Sequence, residues 1–272
     1  MTGSATRPST YVCVVTGASR GIGQATAAAM RQRGATVVTL GRDAASSTIV
    51  CDLASFASIR AAAVEISARW PDIQLLVNNA GVQHLRRTLS ADGIESTLAV
   101  NHLAPFLLTQ LLLPNLRAGS LGRVVTVSSS LARWGRIDFG DLQSERHYNG
   151  TRAYLQSKLA NIMFTASLAE RLGGTGVSAV CVYPGLVVTD LMRERWWWRA
   201  RWLRPLWRAL FLSPDDAANA IVAATTASAP APEPPVCFTL GGRTAPVPPR
   251  ARDAAARRRL WIASARLVGV GL

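Results

Sequence analysis

Tyr154 and Lys158 stand four positions apart in the stretch Tyr154-Leu155-Gln156-Ser157-Lys158, and Lys158 is the single lysine among 30 basic residues. The other 29 are arginine, so a chain that uses arginine wherever a positive charge is wanted has a chemical reason for one exception. Residues four apart on a helix share a face, which puts a phenol beside a compact ammonium that would favour the phenolate. A guanidinium is planar, bulkier and keeps its proton, so it would substitute badly.

A second constellation, Thr16-Gly17-Ala18-Ser19-Arg20-Gly21-Ile22-Gly23, follows a β-branched run and opens an Ala-rich amphipathic segment. This is where a glycine-rich phosphate cradle lies. Without side chains at Gly17, Gly21 and Gly23 the backbone can turn sharply, approach a pyrophosphate and pack helix on strand, leaving the helix N-terminus aimed at the anion. Dinucleotide sites that prefer NAD place an acid at the end of the second strand; this chain has Gly41 there, followed by Arg42. Arg20 and Arg42 offer guanidinium groups to a 2′-phosphate, so NADP is favoured over NAD, with Asp43 the one neighbour that argues the other way.

The elements that must position these groups alternate between short β-branched runs and long Ala/Leu-rich segments, which predicts a single-domain, doubly wound parallel sheet of the Rossmann type with helices on both faces. About seven strands are expected, near 11–16, 36–40, 48–51, 73–77, 123–127, 177–183 and 236–239. Helices are expected at 22–33, 55–69, 92–117, 150–172, 214–227 and 251–267, with a broken aromatic helix near 191–211. Between strands two and three only Gly41 to Thr48 remain, too short for a crossover helix of about a dozen residues. Residues 1–10 read as a flexible N-terminus and 11–272 as one catalytic domain; Pro-rich stretches at 230–235 and 246–249 read as loops.

At this point the chain resembles the short-chain dehydrogenase/reductase family. The resemblance rests on the Thr16 to Gly23 motif, Cys51-Asp52-Leu53, Asn78-Asn79-Ala80-Gly81, Asn101, Ser129, Tyr154 with Lys158, and Pro184-Gly185 with Thr189, in family order. Within it, Val100-Asn101-His102-Leu103, Arg136-Ile137-Asp138-Phe139 and Ser157-Lys158-Leu159-Ala160-Asn161 look like the retinol-dehydrogenase branch. The resemblance implies an NADP-dependent oxidoreductase interconverting a lipophilic alcohol and its aldehyde or ketone. Tyr154 would be the general acid or base and, with Lys158, a cofactor-binding residue; Lys158 would lower the phenol's pKa and hold the nicotinamide ribose. Ser129, the middle of three consecutive serines, would bond the substrate oxygen, and Asn101 would complete a tetrad. On the cofactor side it implies Gly17, Ser19, Arg20, Gly21, Ile22 and Gly23 at the phosphates, Arg42 at the 2′-phosphate, and Asp52 and Leu53 near the adenine. Asn79, Ala80 and Gly81 would follow the ribose, and Val187 and Thr189 would hold the carboxamide.

Composition narrows the remaining classes. A chain of 272 residues with 49% apolar content can fill one sizeable core. The run Leu103 to Leu116, broken by Pro105 and Pro114, falls short of the roughly 18 to 20 residues that span a bilayer, and no signal peptide is read at the start. A cytoplasmic protein is expected. Cysteines 13, 51, 181 and 237 form no CxxC pair and read as reduced and packed; His84, His102 and His147 lack ligand spacing, so no metal is expected.

The net charge of +14 points to anionic partners, and six arginines fall in Arg193 to Arg208. There Trp196, Trp197, Trp198, Trp202 and Trp207 interleave with arginine, which suits either a substrate lid at about 191–212 or peripheral membrane contact through 193–208. No nucleic-acid module accompanies the charge. A homo-oligomer stays open, as does a rival reading in which the fold is kept as a catalytically silent NADP-binding scaffold.

Overall fold

The computed structural model describes residues 11–119, 121–185, 212–226, 237–239 and 243–271. The first β-branched run forms β1 (Val12–Thr16), and the glycine-rich turn leads into α1 (Gly21–Gln32). β2 (Thr36–Gly41) pairs in parallel with β3 (Ile49–Val50), with no helix between them. Thr39 and Thr48 tie that short connection instead, each backbone N–H donating to the other's hydroxyl at 3.1 and 2.9 Å. Then come α2 (Phe56–Arg69), capped by the Ser55 hydroxyl, and β4 (Leu75–Asn78).

The next helical run starts later than the apolar periodicity suggests. Gly93, at φ 74°, turns the chain, and the buried Glu95 carboxylate accepts from the N–H groups of Thr97 and Leu98, so α3 (Ser96–Leu98) begins there rather than at 92. A π-helical turn (Ala99–Leu103) separates it from α4 (Ala104–Ala118). Together they make a run of 23 residues, long and apolar enough to cross a membrane, yet 83% of its most apolar window is buried inside the protein. Pro105 sits in the first turn of α4, where its missing N–H is harmless.

β5 (Arg123–Val127) leads through a 3₁₀ turn (Ser130–Trp134) to α5 (Gly150–Arg171) and β6 (Ser178–Val182). Further on lie α6 (Pro214–Thr226), β7 (Cys237–Phe238), β8 (Thr244–Ala245), α7 (Pro249–Arg252) and α8 (Ala254–Val268). The expected 251–267 helix is thus broken at Asp253, whose carboxylate accepts from Ala256 N at 3.0 Å and caps α8. The aromatic helix expected near 191–211, like residues 1–10, lies outside the described residues.

The strands form one sheet in the order β3-β2-β1-β4-β5-β6-β7-β8, parallel throughout except for β8. That eighth strand is unexpected: two residues long, it folds back on β7 to pair Cys237 with Ala245 and Phe238 with Thr244. The chain moves outward from β1 to β3, then returns to place β4 on the other side of β1. The carboxyl ends of β1 and β4 therefore open into the crevice where such sheets bind ligands.

Both faces of the sheet are covered, as alternation requires. Val12 and Val14 point into a core shared with α2, α4 and α5, while Cys13 and Val15 point into one shared with α1 and α6. The last helix, α8, is a third layer over α4 and α5, anchored by Trp261. Its ring meets Phe106 edge-on at 4.9 Å and stacks with Phe164 at 6.0 Å, while the Arg171 guanidinium covers it at 4.2 Å. Trp261→Ala is expected to lower unfolding stability by about 3–5 kcal/mol, read from the shift of a urea denaturation midpoint.

Candidate active site

The loops after β1 and β4 are built against each other. Gly17 adopts φ 67°, and a Cβ there would stand 2.9 Å from Ala80 Cα. The Thr16 hydroxyl accepts from Asn79 N at 3.0 Å and Ala80 N at 3.1 Å, and the Asn79 side-chain amide donates to the carbonyl oxygens of Thr16 and Gly17. Gly23 lies beneath: any side chain would collide with Gly17 O and Asn79 Nδ2. Gly21 adopts φ 57°, a left-handed conformation that favours glycine, and no protein atom crowds it.

Helix α1 starts at this point with no side-chain cap and no acid in its first turn, so its leading N–H groups suit an anion. Ser19 and Arg20 are exposed on the rim, and Ile22 packs on the core under α1. These features fit the pyrophosphate of a dinucleotide.

At the end of β2, a Cβ on Gly41 would lie 2.6 Å from Ser47 Oγ, so a side chain at this position would need the Ser47 hydroxyl to rotate away. Arg42 is exposed; Asp43 is engaged by its own turn, accepting from Ala45 N and Ser46 Oγ, each at 3.0 Å. After β3, Asp52 is exposed with its carboxylate accepting from Ala54 N at 2.9 Å, and Leu53 packs against the core. Val187 and Thr189 lie outside the described residues.

Across the crevice, α5 starts at Asn149, whose side-chain oxygen accepts from Thr151 N and Arg152 N. One turn in, Tyr154 and Lys158 share a face, with Lys158 Nζ 5.7 Å from the centroid of the Tyr154 ring. The ammonium is 4% exposed and donates to Val127 O, at the end of β5, at 3.1 Å. Burial brings the Lys158 pKa down to about 8.

The Ser129 side chain, near the Tyr154 hydroxyl, favours the phenolate, but burial dominates and pushes the phenol up to about 12. The expected lowering of the phenol by Lys158 is not what governs it in this structure: desolvation wins. The neighbouring serines are otherwise occupied. Ser128 donates to Lys158 O at 2.7 Å, and Ser130 is exposed in the 3₁₀ turn.

Asn101 lies in the π-helical turn, fully buried, with Oδ1 accepting from Val82 N at 2.7 Å and Nδ2 donating to Val82 O at 2.9 Å. Its amide also donates to Ser157 Oγ at 3.0 Å, and Ser157 in turn donates to Tyr154 O. Gly81 lies between these groups: a Cβ there would be 3.4 Å from Lys158 Nζ and 3.6 Å from Asn101 Oδ1. The fold thus gathers Asn101, Ser129, Tyr154, Lys158 and Gly81 into one cluster, beside the Gly17 to Gly23 cradle and the Asn79-Ala80 loop. Arg42, Asp52 and Leu53 line the far end, at β2 and β3.

A part-exposed phenol with a serine beside it, backed by a buried amine and flanked by a glycine cradle, is an arrangement for moving a proton beside a bound dinucleotide. Comparison with known proteins bears on this directly: residues 11–200 match the family model described as short chain dehydrogenase. The chain belongs to the short-chain dehydrogenase/reductase family. It is an NAD(P)-dependent oxidoreductase acting on CH–OH groups.

Human retinol dehydrogenase 12 is 40% identical over 281 aligned positions, covering 95% of this chain and 86% of the relative. Among solved structures, an uncharacterised protein from Mycobacterium paratuberculosis superposes with a TM-score of 0.76 at 32% identity, covering 96% of this chain and 94% of the other. A metagenomic short-chain oxidoreductase in complex with NADP gives a TM-score of 0.58 at 28% identity, over 80% of this chain and 91% of the other.

Two residues that hold Asn101 in this cluster escape a reading by motif. Ser157 was visible only as the residue before Lys158, and its link to Asn101 spans 56 positions. Val82 acts through its backbone, which no side-chain pattern announces. All four cysteines are buried and free, and Cys181 and Cys237 face each other across β6 and β7, close to Lys158.

His102 follows Asn101 in the π-helical turn and is fully buried. Nδ1 lies 3.3 Å from Asn161 Oδ1, an acceptor, so Nδ1 carries the proton and Nε2 accepts from Ser264 Oγ at 2.8 Å. Burial lowers its pKa from 6.5 to about 4. Because the unfolded chain binds this proton more readily, the contribution of neutral His102 is complete above pH 6.5 and is lost as pH falls toward about 4. Unfolding free energy should drop by about 3 kcal/mol across that window from this group alone, and a His102→Gln variant should show a flatter pH dependence in chemical denaturation.

Proposed function

We propose that this enzyme is an NADP-dependent oxidoreductase that interconverts a lipophilic alcohol and its aldehyde or ketone, with Tyr154 as general acid and base. The observation that carries the reading is the convergence of Ser129, Tyr154 and Lys158 beside the cradle formed by Gly17, Gly21 and Gly23. The dinucleotide, when bound, supplies or accepts the hydride.

The chain's own groups handle the proton and the charge. In the reductive direction Tyr154, held protonated by burial across neutral pH, gives its hydroxyl proton to the carbonyl oxygen as negative charge develops there. The Ser129 hydroxyl hydrogen-bonds the same oxygen, and a donor in place before the charge forms costs no reorganisation. Lys158, close to neutral pH in its own titration, stabilises the phenolate that remains and can pass a proton toward it. Asn101 holds the turn and, through Ser157, the backbone of Tyr154. In the oxidative direction the same groups run in reverse, with the phenolate as base.

Support for NADP comes from position 41, where a glycine stands in place of an acid that would repel a 2′-phosphate, and from the exposed Arg42 beside it. Support for an apolar substrate comes from the retinol dehydrogenase 12 relative. The Trp/Arg stretch 193–208, proposed as a lid or membrane contact, lies outside the described residues.

Tyr154→Phe should reduce NADPH-dependent turnover of apolar aldehydes by about 10²–10⁴-fold while leaving NADPH affinity, followed by nicotinamide fluorescence, within about threefold. Retained turnover in this variant would remove Tyr154 from the chemistry; unchanged cofactor binding with no turnover by the unmodified enzyme on any aldehyde or alcohol would favour the silent scaffold. Arg42→Glu should cut the NADPH-over-NADH ratio of kcat/KM at least about tenfold, because a charge-assisted contact becomes a repulsion.

A further inference from the structure

Helix α8 has two unlike outer properties. Its inward arginine, Arg257, is buried and paired with Glu170, with further bonds to the carbonyl oxygens of Ala251 and Arg252. Its outward arginines, Arg258, Arg259 and Arg266, are exposed, and none forms an ion pair among the described residues. The helix contains no acid at all from Ala254 to Val268, whereas a merely solvated face commonly mixes signs at i, i+4.

These three guanidinium groups rim a groove of about 370 Å³ whose apolar floor is Phe139, Leu142 and Ile262. Arg259 stacks on the Phe139 ring at 4.4 Å, which holds its charge over the apolar floor. Asp253 caps α8 through Ala256 N, Asp138 accepts from Gly140 N, and Asp141 accepts from Glu145 N and Arg146 N; among the described residues none of these acids forms an ion pair with the rim. The groove lies between α8 and the segment leading into α5, whose Leu142 carbonyl accepts from Gln156 Nε2 at 2.9 Å.

We infer that this groove is a docking surface for a bilayer containing anionic phospholipid. The guanidinium rim matches lipid phosphate, and the apolar floor offers a place for the adjoining acyl or glycerol region, a pairing that a soluble anion would use only in half. Each cation near an anionic leaflet contributes independently, so the effect of removing three is large and measurable. The inference depends on neither cofactor nor substrate, and its test reads binding rather than turnover.

The full chain is sedimented with sucrose-loaded vesicles of phosphatidylcholine alone, or with about one quarter phosphatidylglycerol, at physiological salt. The unmodified protein should partition onto the anionic vesicles and not onto the neutral ones. A triple Arg258→Gln, Arg259→Gln, Arg266→Gln variant should bind on the order of 100-fold more weakly, and at least tenfold. A charge-matched control carrying Arg31→Gln, Arg33→Gln and Arg117→Gln should stay within about threefold of the unmodified protein. Ile262→Glu should also weaken binding several-fold, which charge attraction from elsewhere on the chain would not require. Absence of binding by the unmodified protein, full retention by the groove variant, or equal losses in groove variant and control would each overturn the inference. Unchanged thermal unfolding of the groove variant separates lost docking from lost folding.

Discussion

An ammonium held out of water organises the site. Lys158 loses most of its hydration at the centre of the crevice, and a buried charge is tolerated only where partners replace that water. The end of β5 supplies one, the Val127 carbonyl, and Gly81 supplies room, since a side chain there would press on the amine. Ser128 then fixes the Lys158 backbone from the neighbouring strand end. The result is a cation whose own protonation is balanced near neutral pH, one helical turn from a phenol whose proton is firmly held.

The cradle for the anionic partner is a separate solution to a separate problem, and the two are joined by one loop. The loop after β4 bonds Thr16 and Gly17 through Asn79 and Ala80, then presents Gly81 to Lys158 and Val82 to Asn101. Four successive residues thus link the glycine-rich turn to the Tyr154 and Lys158 cluster. Each of these bonds pairs a side chain with the backbone, so the loop is tied down at both ends of the crevice.

Much of this architecture was legible because it follows local rules. The seven parallel strands, the Gly17 to Gly23 turn and the Tyr154/Lys158 pair are all written in spacings of two, three or four residues. What escaped was of two kinds. The strand at Thr244–Ala245 is too short to carry an alternation of its own and exists through its pairing with β7. The late start at Ser96 and the break at Asp253 depend on capping carboxylates that compete with an otherwise continuous apolar pattern.

By itself the sequence determined the alternation of strands and helices, the glycine-rich turn and the pairing of Tyr154 with Lys158 on one helix face, since backbone conformation and helical periodicity act between near neighbours. Tertiary structure alone decided that Asn101 is held by Val82 and Ser157, and that burial raises the pKa of the phenol. Those outcomes turn on contacts between residues tens of positions apart and on the removal of water, and neither quantity is encoded in any local spacing.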